Sequence, residues 1–269
     1  MRPSKKNSGE NFRHVGPPAK ERINILGVWV DPISVPELHA RILDAVRAGR
    51  HALVLNVNVH ALNLCYRDPV LRSFFNAAPV VFCDGAGVML AARILGKRIP
   101  ERITYADWVW QLADFAESQG ISLFFLGARP GVADKAATRL QARHPNLKIV
   151  GVHHGYFDHD LGAPENEAVL EEINSSRSDV LLVGFGMPLQ ERWLMHNWER
   201  IDARVALTGG AVFDYVSGEL RRGPRLLTDN GFEWLARLFV EPKRLWHRYV
   251  VGNPLFLMRV LKQRLAQRT

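Results

Sequence analysis

Cysteine is nearly absent from this chain. Its two thiols, Cys65 and Cys83, cannot build a disulfide framework, so both are expected reduced, as in a cytosolic protein. Neither belongs to a Cys-x-x-Cys pair, which argues against a structural zinc. No apolar run reaches the roughly 18 residues of a membrane-spanning helix. The stretch from Met1 to Arg22 lacks the apolar core of a signal peptide. It is polar and dotted with Pro and Gly, so a disordered basic tail is expected over 1–22. Two phosphate motifs are missing as well. Gly85-Ala86-Gly87-Val88-Met89-Leu90 and Gly184-Phe185-Gly186-Met187-Pro188-Leu189 both end on Leu where a dinucleotide fingerprint needs Gly or Ala. There is no Gly-x-x-x-x-Gly-Lys-Ser/Thr loop. Neither a dehydrogenase nor a P-loop NTPase is favoured.

The 269 residues are 47% hydrophobic and 23% charged, ordinary values for a soluble globular chain with a large core. They exclude disordered, collagen-like and coiled-coil classes. At about 150 residues per domain, one to two domains are expected. The net charge of +8 is unevenly placed: residues 221–269 hold 11 Lys+Arg against 3 Asp+Glu. Residues 1–22 hold 6 against 2, which leaves 23–220 with 18 against 22, a balance of −4. A mildly acidic body thus carries a basic C-terminal segment, suited to an anionic partner such as a membrane surface, a nucleic acid or a phosphorylated lipid.

Short apolar runs alternate with helical patterns. Strands are predicted at Ile23–Val30, Ala52–Val57, Val80–Cys83, Ser122–Leu126, Lys148–Val152, Val180–Gly184 and Val205–Thr208. Several are continuous Val/Ile/Leu/Phe runs, as in strands covered on both faces. Helices are predicted at Pro36–Ala48, Ala106–Ser118, Val132–Arg143, Glu165–Asn174 and Leu189–Trp198. The alternation predicts an α/β fold: a Rossmann-like, doubly wound, mostly parallel sheet. After Gly223-Pro224 the strands stop, and helices are expected at Gly231–Val240, Pro242–Val251 and Pro254–Gln267. The expected organisation is a 1–22 tail, a 23–220 Rossmann-like core and a 221–269 basic amphipathic helical appendage.

Ligands of such sheets bind beyond the carboxyl ends of the strands, and those ends are polar and glycine-rich here. They read Asn56-Val57-Asn58, Asp84-Gly85-Ala86-Gly87, Gly127-Ala128-Arg129-Pro130-Gly131, His153-His154-Gly155-Tyr156, Gly184 through Glu191, and Thr208-Gly209-Gly210 followed by Asp214. Glycines admit backbone N–H groups close to oxygen atoms, and helix N-termini favour anions. A phosphate-bearing ligand fits, although Gly at one such turn is ordinary turn chemistry. Asp158-His159-Asp160 is an Asp-x-Asp triplet of the kind that holds a divalent cation, yet hard cations need several converging oxygens. His153 and His154 are adjacent and on extended chain face opposite ways. No metal site is expected.

Several of these motifs resemble the WecG/TagA/CpsF family, glycosyltransferase family 26. They are Phe125-Leu126-Gly127-Ala128-Arg129-Pro130-Gly131-Val132-Ala133, His153-His154-Gly155-Tyr156-Phe157, and Gly184-Phe185-Gly186-Met187-Pro188-Leu189-Gln190-Glu191-Arg192-Trp193. Asp84-Gly85-Ala86-Gly87-Val88, Glu233-Trp234-Leu235-Ala236-Arg237 and Glu241-Pro242-Lys243-Arg244-Leu245-Trp246 resemble it too, so the likeness runs from Ile23 to Leu257. The resemblance implies inverting, metal-independent transfer of a hexose of N-acetylmannosamine, its uronic acid or glucose type. The donor would be a UDP-sugar and the acceptor a sugar on a polyprenyl diphosphate. It implies surface or exopolysaccharide assembly on the cytoplasmic face of the bacterial membrane, without a cofactor. One departure is visible: Asn56-Val57-Asn58 stands where the family often has Thr-x-Asn, and Asn keeps both a donor and an acceptor.

Inverting transfer needs a base for the acceptor hydroxyl and stabilisation of the departing diphosphate. Asp84 is the candidate base; the alternative is a cap for the helix from Ala86. Asn56 and Asn58 could bond a sugar or form Asx turns. Arg102 could hold phosphate or a sugar carboxylate, or be a solvated charge. Gln190 and Glu191 would face the site from the first turn of a helix, though Glu191 could simply complement its dipole. Gly127, Gly131 and Gly186 would admit the diphosphate. Tyr156 could stack on uracil and Asp214 could bond the uridine. Arg221, Arg222 or Arg225 could close over the diphosphate with a bidentate fork. Basic and large apolar residues interleave in the C-terminal segment, as in a helix lying at an anionic membrane surface; core packing is the alternative. Two rival functions remain open, a UDP-sugar sensor without turnover and a nucleic-acid-binding protein. For the latter no RNP, zinc-finger or helix-turn-helix signal is found, so no nucleic-acid partner is expected.

Overall fold

The computed structural model describes residues 21–221, 223–224, 228, 233–240 and 242–267. The chain opens with β1 (Ile23–Ile25) and β2 (Val28–Val30), an antiparallel hairpin apart from the main sheet. This corrects the single strand expected over Ile23–Val30. Leu26 and Gly27 both take positive φ, 52° and 89°, and so reverse the chain inside what reads as one apolar run. Residues 1–20 of the expected tail lie outside the described residues. Arg22 belongs to the fold: with Arg41 it pairs with the buried Asp31, at 3.0 and 2.8 Å.

The elements that follow are α1 (Val35–Arg47), β3 (Ala52–Val57), α2 (Val59–Arg67), α3 (Pro69–Ala77), β4 (Val80–Cys83), α4 (Ala86–Ile94), α5 (Tyr105–Gln119), β5 (Leu123–Gly127), α6 (Val132–Arg143), β6 (Ile149–His153), α7 (Pro164–Ser176), β7 (Val180–Gly184), α8 (Leu189–Asn197), β8 (Val205–Thr208) and α9 (Val212–Ser217). Beyond them lie α10 (Glu233–Val240), α11 (Pro242–Trp246), a π-helical stretch at His247–Val251 and α12 (Gly252–Ala266). Helices α2 and α3 are not among the helices predicted from the sequence, although both are amphipathic, with Ala61, Leu62 and Cys65 and then Leu71 and Phe75 buried. Their caps explain them: Asn58 and Asp68 each accept two backbone N–H bonds, and Pro69 opens α3.

Six strands form one parallel sheet in the order β4-β3-β8-β7-β5-β6. This is the expected doubly wound α/β sheet. Alternate side chains enter two cores. Ala52 and Val54 pack with α1, α5, α6 and α9, whereas Leu53, Leu55 and Val57 pack with α2, α3, α4, α7 and α8. Because every strand runs the same way, all six carboxyl ends share one edge. The chain crosses the sheet between β4 and β5, which opens a crevice along that edge.

Helix α12 lies across α2 and α4 and sends Phe256 and Val260 into the core. Arg259 stacks over Tyr66 at 4.1 Å and bonds Asn63 at 2.7 Å. Gln263 ties α12 to the first hairpin through Leu26 N–H and the Asn24 carbonyl, at 2.8 and 2.9 Å.

Candidate active site

The crevice holds a hydrogen-bonded line across three strands. Asn56 and Asp84 continue the faces of Val54 and Phe82, so both side chains leave the sheet on the same side. Asn56 Nδ2 donates to Asp84 Oδ2 at 2.7 Å. Thr208 Oγ1 donates to Asn56 Oδ1 at 2.9 Å and accepts Asn56 N–H at 3.2 Å. The hydroxyl and the carboxylate together fix which way the Asn56 amide points. Asn56 and Thr208 are buried, while Asp84 is half-buried and reachable. Asp84 does not cap α4: that position belongs to Gly85, with no side-chain cap bond. Its carboxylate is instead held at the sheet edge by the Asn56 amide. Thr208 was legible only as a polar residue closing the apolar run Val205-Ala206-Leu207.

The segment after Pro100 leans on the same strand end, since Ile103 N–H bonds the Cys83 carbonyl at 2.9 Å. Arg102 Nη2 bonds the carbonyl of the buried Thr228 at 3.0 Å, joining the β4 end to the C-terminal segment. Tyr105, the first residue of α5, is buried against Phe82 and Trp108. Among the described residues its hydroxyl has no hydrogen-bond partner. Burial, and then the nearby Asp84 charge, raise its pKa well above the ordinary value. Local sequence carries no signal for this residue. Burial also pushes the Cys83 thiol up to about 12, so it stays protonated and unreactive.

Asn58 is a cap: its Oδ1 accepts His60 and Ala61 N–H at 3.0 and 3.1 Å. Gln190 and Glu191 are buried rather than facing the crevice, at 0% and 1% exposure. Gln190 Oε1 accepts Gly186 N–H at 3.2 Å and Gly210 N–H at 3.0 Å, and its Nε2 donates to Glu191 Oε1 at 2.7 Å. Burial pushes the Glu191 carboxyl up to about 7, with Gln190 and its own backbone N–H pulling the other way.

Gly127, at φ 149°, owes its identity to close approach: a Cβ there would lie 2.4 Å from the Gly184 carbonyl oxygen. Gly131, before α6, has φ 78° and open space on its Cβ side. Asp214 is half-buried in α9 and Arg221 is exposed. Arg222 and Arg225 lie outside the described residues. Tyr156 is exposed beyond β6, at the opposite edge of the sheet from Asp84, five strand spacings or about 24 Å away. Asp84, Asn56, Asn58, Arg102 and Thr208 therefore form one group, and Tyr156 stands apart from it. Asp158 and Asp160 are exposed and joined in a turn by Asp160 N–H to Asp158 Oδ1 at 3.0 Å. Among the described residues no three His, Cys, Asp or Glu side chains are placed to hold a metal ion.

The sequence profile of the glycosyl transferase WecG/TagA/CpsF family matches residues 23–269. The chain belongs to this family. It is therefore a hexosyltransferase of the glycosyltransferase family 26 type. Proteins of Staphylococcus aureus strains MRSA252 and NCTC 8325 are both named N-acetylglucosaminyldiphosphoundecaprenol N-acetyl-beta-D-mannosaminyltransferase. Each is 25% identical to this glycosyltransferase over 243 residues, 90% of this chain and 92% of the relative. Among the described residues no helix is long and apolar enough to cross a membrane.

Proposed function

We propose that this glycosyltransferase moves an N-acetylmannosamine-type hexose from a UDP-sugar to N-acetylglucosamine on a polyprenyl diphosphate, with inversion and without a metal. The Staphylococcus aureus relatives' name supports the sugar and the acceptor. The observation that carries the chemistry is the Asp84 carboxylate, reachable at the crevice and aligned by Asn56 at 2.7 Å. Asp84 takes the proton of the acceptor hydroxyl. That oxygen bonds the sugar's anomeric carbon, the bond from this carbon to the diphosphate breaks, and UDP leaves with the electron pair. Arg102 precedes Ile103, whose N–H bonds the same strand end, and there a guanidinium offsets charge gathering on the diphosphate.

In the same proposal, residues 221–269 attach the enzyme to an anionic membrane surface on the cytoplasmic side and close over the site. Exposed Phe239, Trp246, Met258, Leu261 and Leu265 alternate there with Lys and Arg, the pattern of an interfacial helix. The Arg102 bond to Thr228 supports closure.

The test is transfer from a panel of labelled UDP-sugars to a short polyprenyl-diphosphate N-acetylglucosamine, with and without EDTA. Labelled lipid is expected from UDP-N-acetylmannosamine in EDTA, and Asp84→Asn should lose about 100-fold or more of the rate, the scale of general-base catalysis. Transfer abolished by EDTA would refute the metal-free reading. UDP binding without any transfer would favour a sensor.

A further inference from the structure

Two backbone donors from different loops converge on one amide. Gly186 follows β7, Gly210 follows β8, and both N–H groups reach Gln190 Oε1, at 3.2 and 3.0 Å. Both glycines take positive φ, 85° and 58°, and a Cβ built on either would meet nothing within 4 Å. Each therefore turns an open face outward at the carboxyl edge of the sheet, while the Gln190 amide ties them together beneath. The tie works one way round only, because an NH2 group turned toward two N–H donors offers them no acceptor. Glu191 selects that orientation: its Oε1 accepts Gln190 Nε2 at 2.7 Å.

Glu191 itself touches neither solvent nor the crevice. It is 1% exposed, and its second oxygen, Oε2, is buried without a partner among the described residues. A buried carboxyl with an unmatched oxygen is a costly way to fill space, since such groups are nearly always satisfied. At 1% exposure Glu191 contacts no substrate in the crevice, contrary to the role expected from its place in the first turn of α8.

We propose that Glu191 is a positioning residue of the transfer reaction. It fixes the Gln190 amide, the amide pins the Gly186 and Gly210 turns, and the turns set the shape of the crevice beyond the carboxyl ends of β7 and β8. The inference rests on the transferase reading for its kinetic consequence and on geometry alone for its structural one.

The experiment compares wild type, Glu191→Gln and Glu191→Leu. Gln keeps an acceptor oxygen for Gln190 Nε2, whereas Leu fills space and removes it. Two readouts are taken on each protein: steady-state transfer, and hydrogen exchange at the Gly186 and Gly210 amides. Glu191→Leu should exchange both amides faster and lose about 10- to 100-fold in kcat, the scale of a small misplacement, with a smaller change in donor KM. Glu191→Gln should restore amide protection and bring kcat back to within about threefold, a difference of well under 1 kcal/mol. Glu191→Leu with wild-type exchange and kcat would overturn the proposal, as would Glu191→Gln impaired as deeply as Leu. Should Glu191→Leu fail to fold, Gln190→Met removes the same tie and must expose the same two amides; wild-type protection there overturns the proposal too. A wild type without transfer would defeat the transferase reading, and the exchange data would still decide this one.

Discussion

Glu191 should make the stability of this enzyme depend on pH in a way one substitution removes. Its carboxyl is pushed from 4.5 to about 7 in the folded chain, chiefly by burial. Below the lower value the group is protonated in both folded and unfolded chains and costs nothing differential. Between the two, the unfolded chain ionises and the folded chain does not, so stability falls as pH rises through that window. Above about 7 the cost is complete, on the order of 3 kcal/mol at 1.36 kcal/mol per pKa unit. Glu191→Gln keeps the shape and the acceptor for Gln190 but cannot ionise. The variant should therefore match wild type near about pH 4 and exceed it by about 3 kcal/mol near about pH 8. Urea unfolding of both proteins across that range reads the difference, and groups that titrate in both cancel. A difference constant with pH would refute the reasoning, because it would place the Glu191 carboxyl at its ordinary value despite its burial.

Tyr105→Phe deletes a buried hydroxyl without a partner among the described residues, so thermal unfolding should show the variant more stable by about 1 kcal/mol. A lower melting temperature would mean that the hydroxyl is bonded in solution. Asp31→Ala strips the buried carboxylate from Arg22 and Arg41 and should cost about 3 kcal/mol in denaturant unfolding, since it strands two partly buried guanidinium groups. Gly127→Ala drives a Cβ against the Gly184 carbonyl, whereas Gly131→Ala meets only its own positive φ. The first should express poorly or unfold early. The second should lose about 1 kcal/mol, as for a non-glycine residue in the left-handed region.

What the sequence made legible follows the range of the interactions involved. The strands Ala52–Val57, Val80–Cys83, Val180–Gly184 and Val205–Thr208 are continuous apolar runs, and burial on both faces is written into each run separately. Asp84 was visible for the same reason, as the first charged residue after such a run. The hairpin at β1 and β2 was not, because its two-residue turn offers one signal, Gly27, beside a Leu26 whose side chain disfavours the positive φ it adopts. Gln190 and Glu191 were placed in the site by their position at a helix start, yet α8 packs against α3 and Gln190 bonds the β8 loop, both remote in sequence. The partnership of Asn56 with Thr208 spans 152 positions, and no local pattern encodes it. Asn58 shows the converse: its cap is made with residues two and three positions on, so the bland reading was the local one and it is what the structure contains. Asp84 reversed that rule, since Gly85 took the cap and left the carboxylate to Asn56 on a neighbouring strand. A polar residue at a strand end is thus best weighed by whether a neighbour in sequence can satisfy it; where none does, its partner lies across the sheet, and that is where this fold assembles its chemistry.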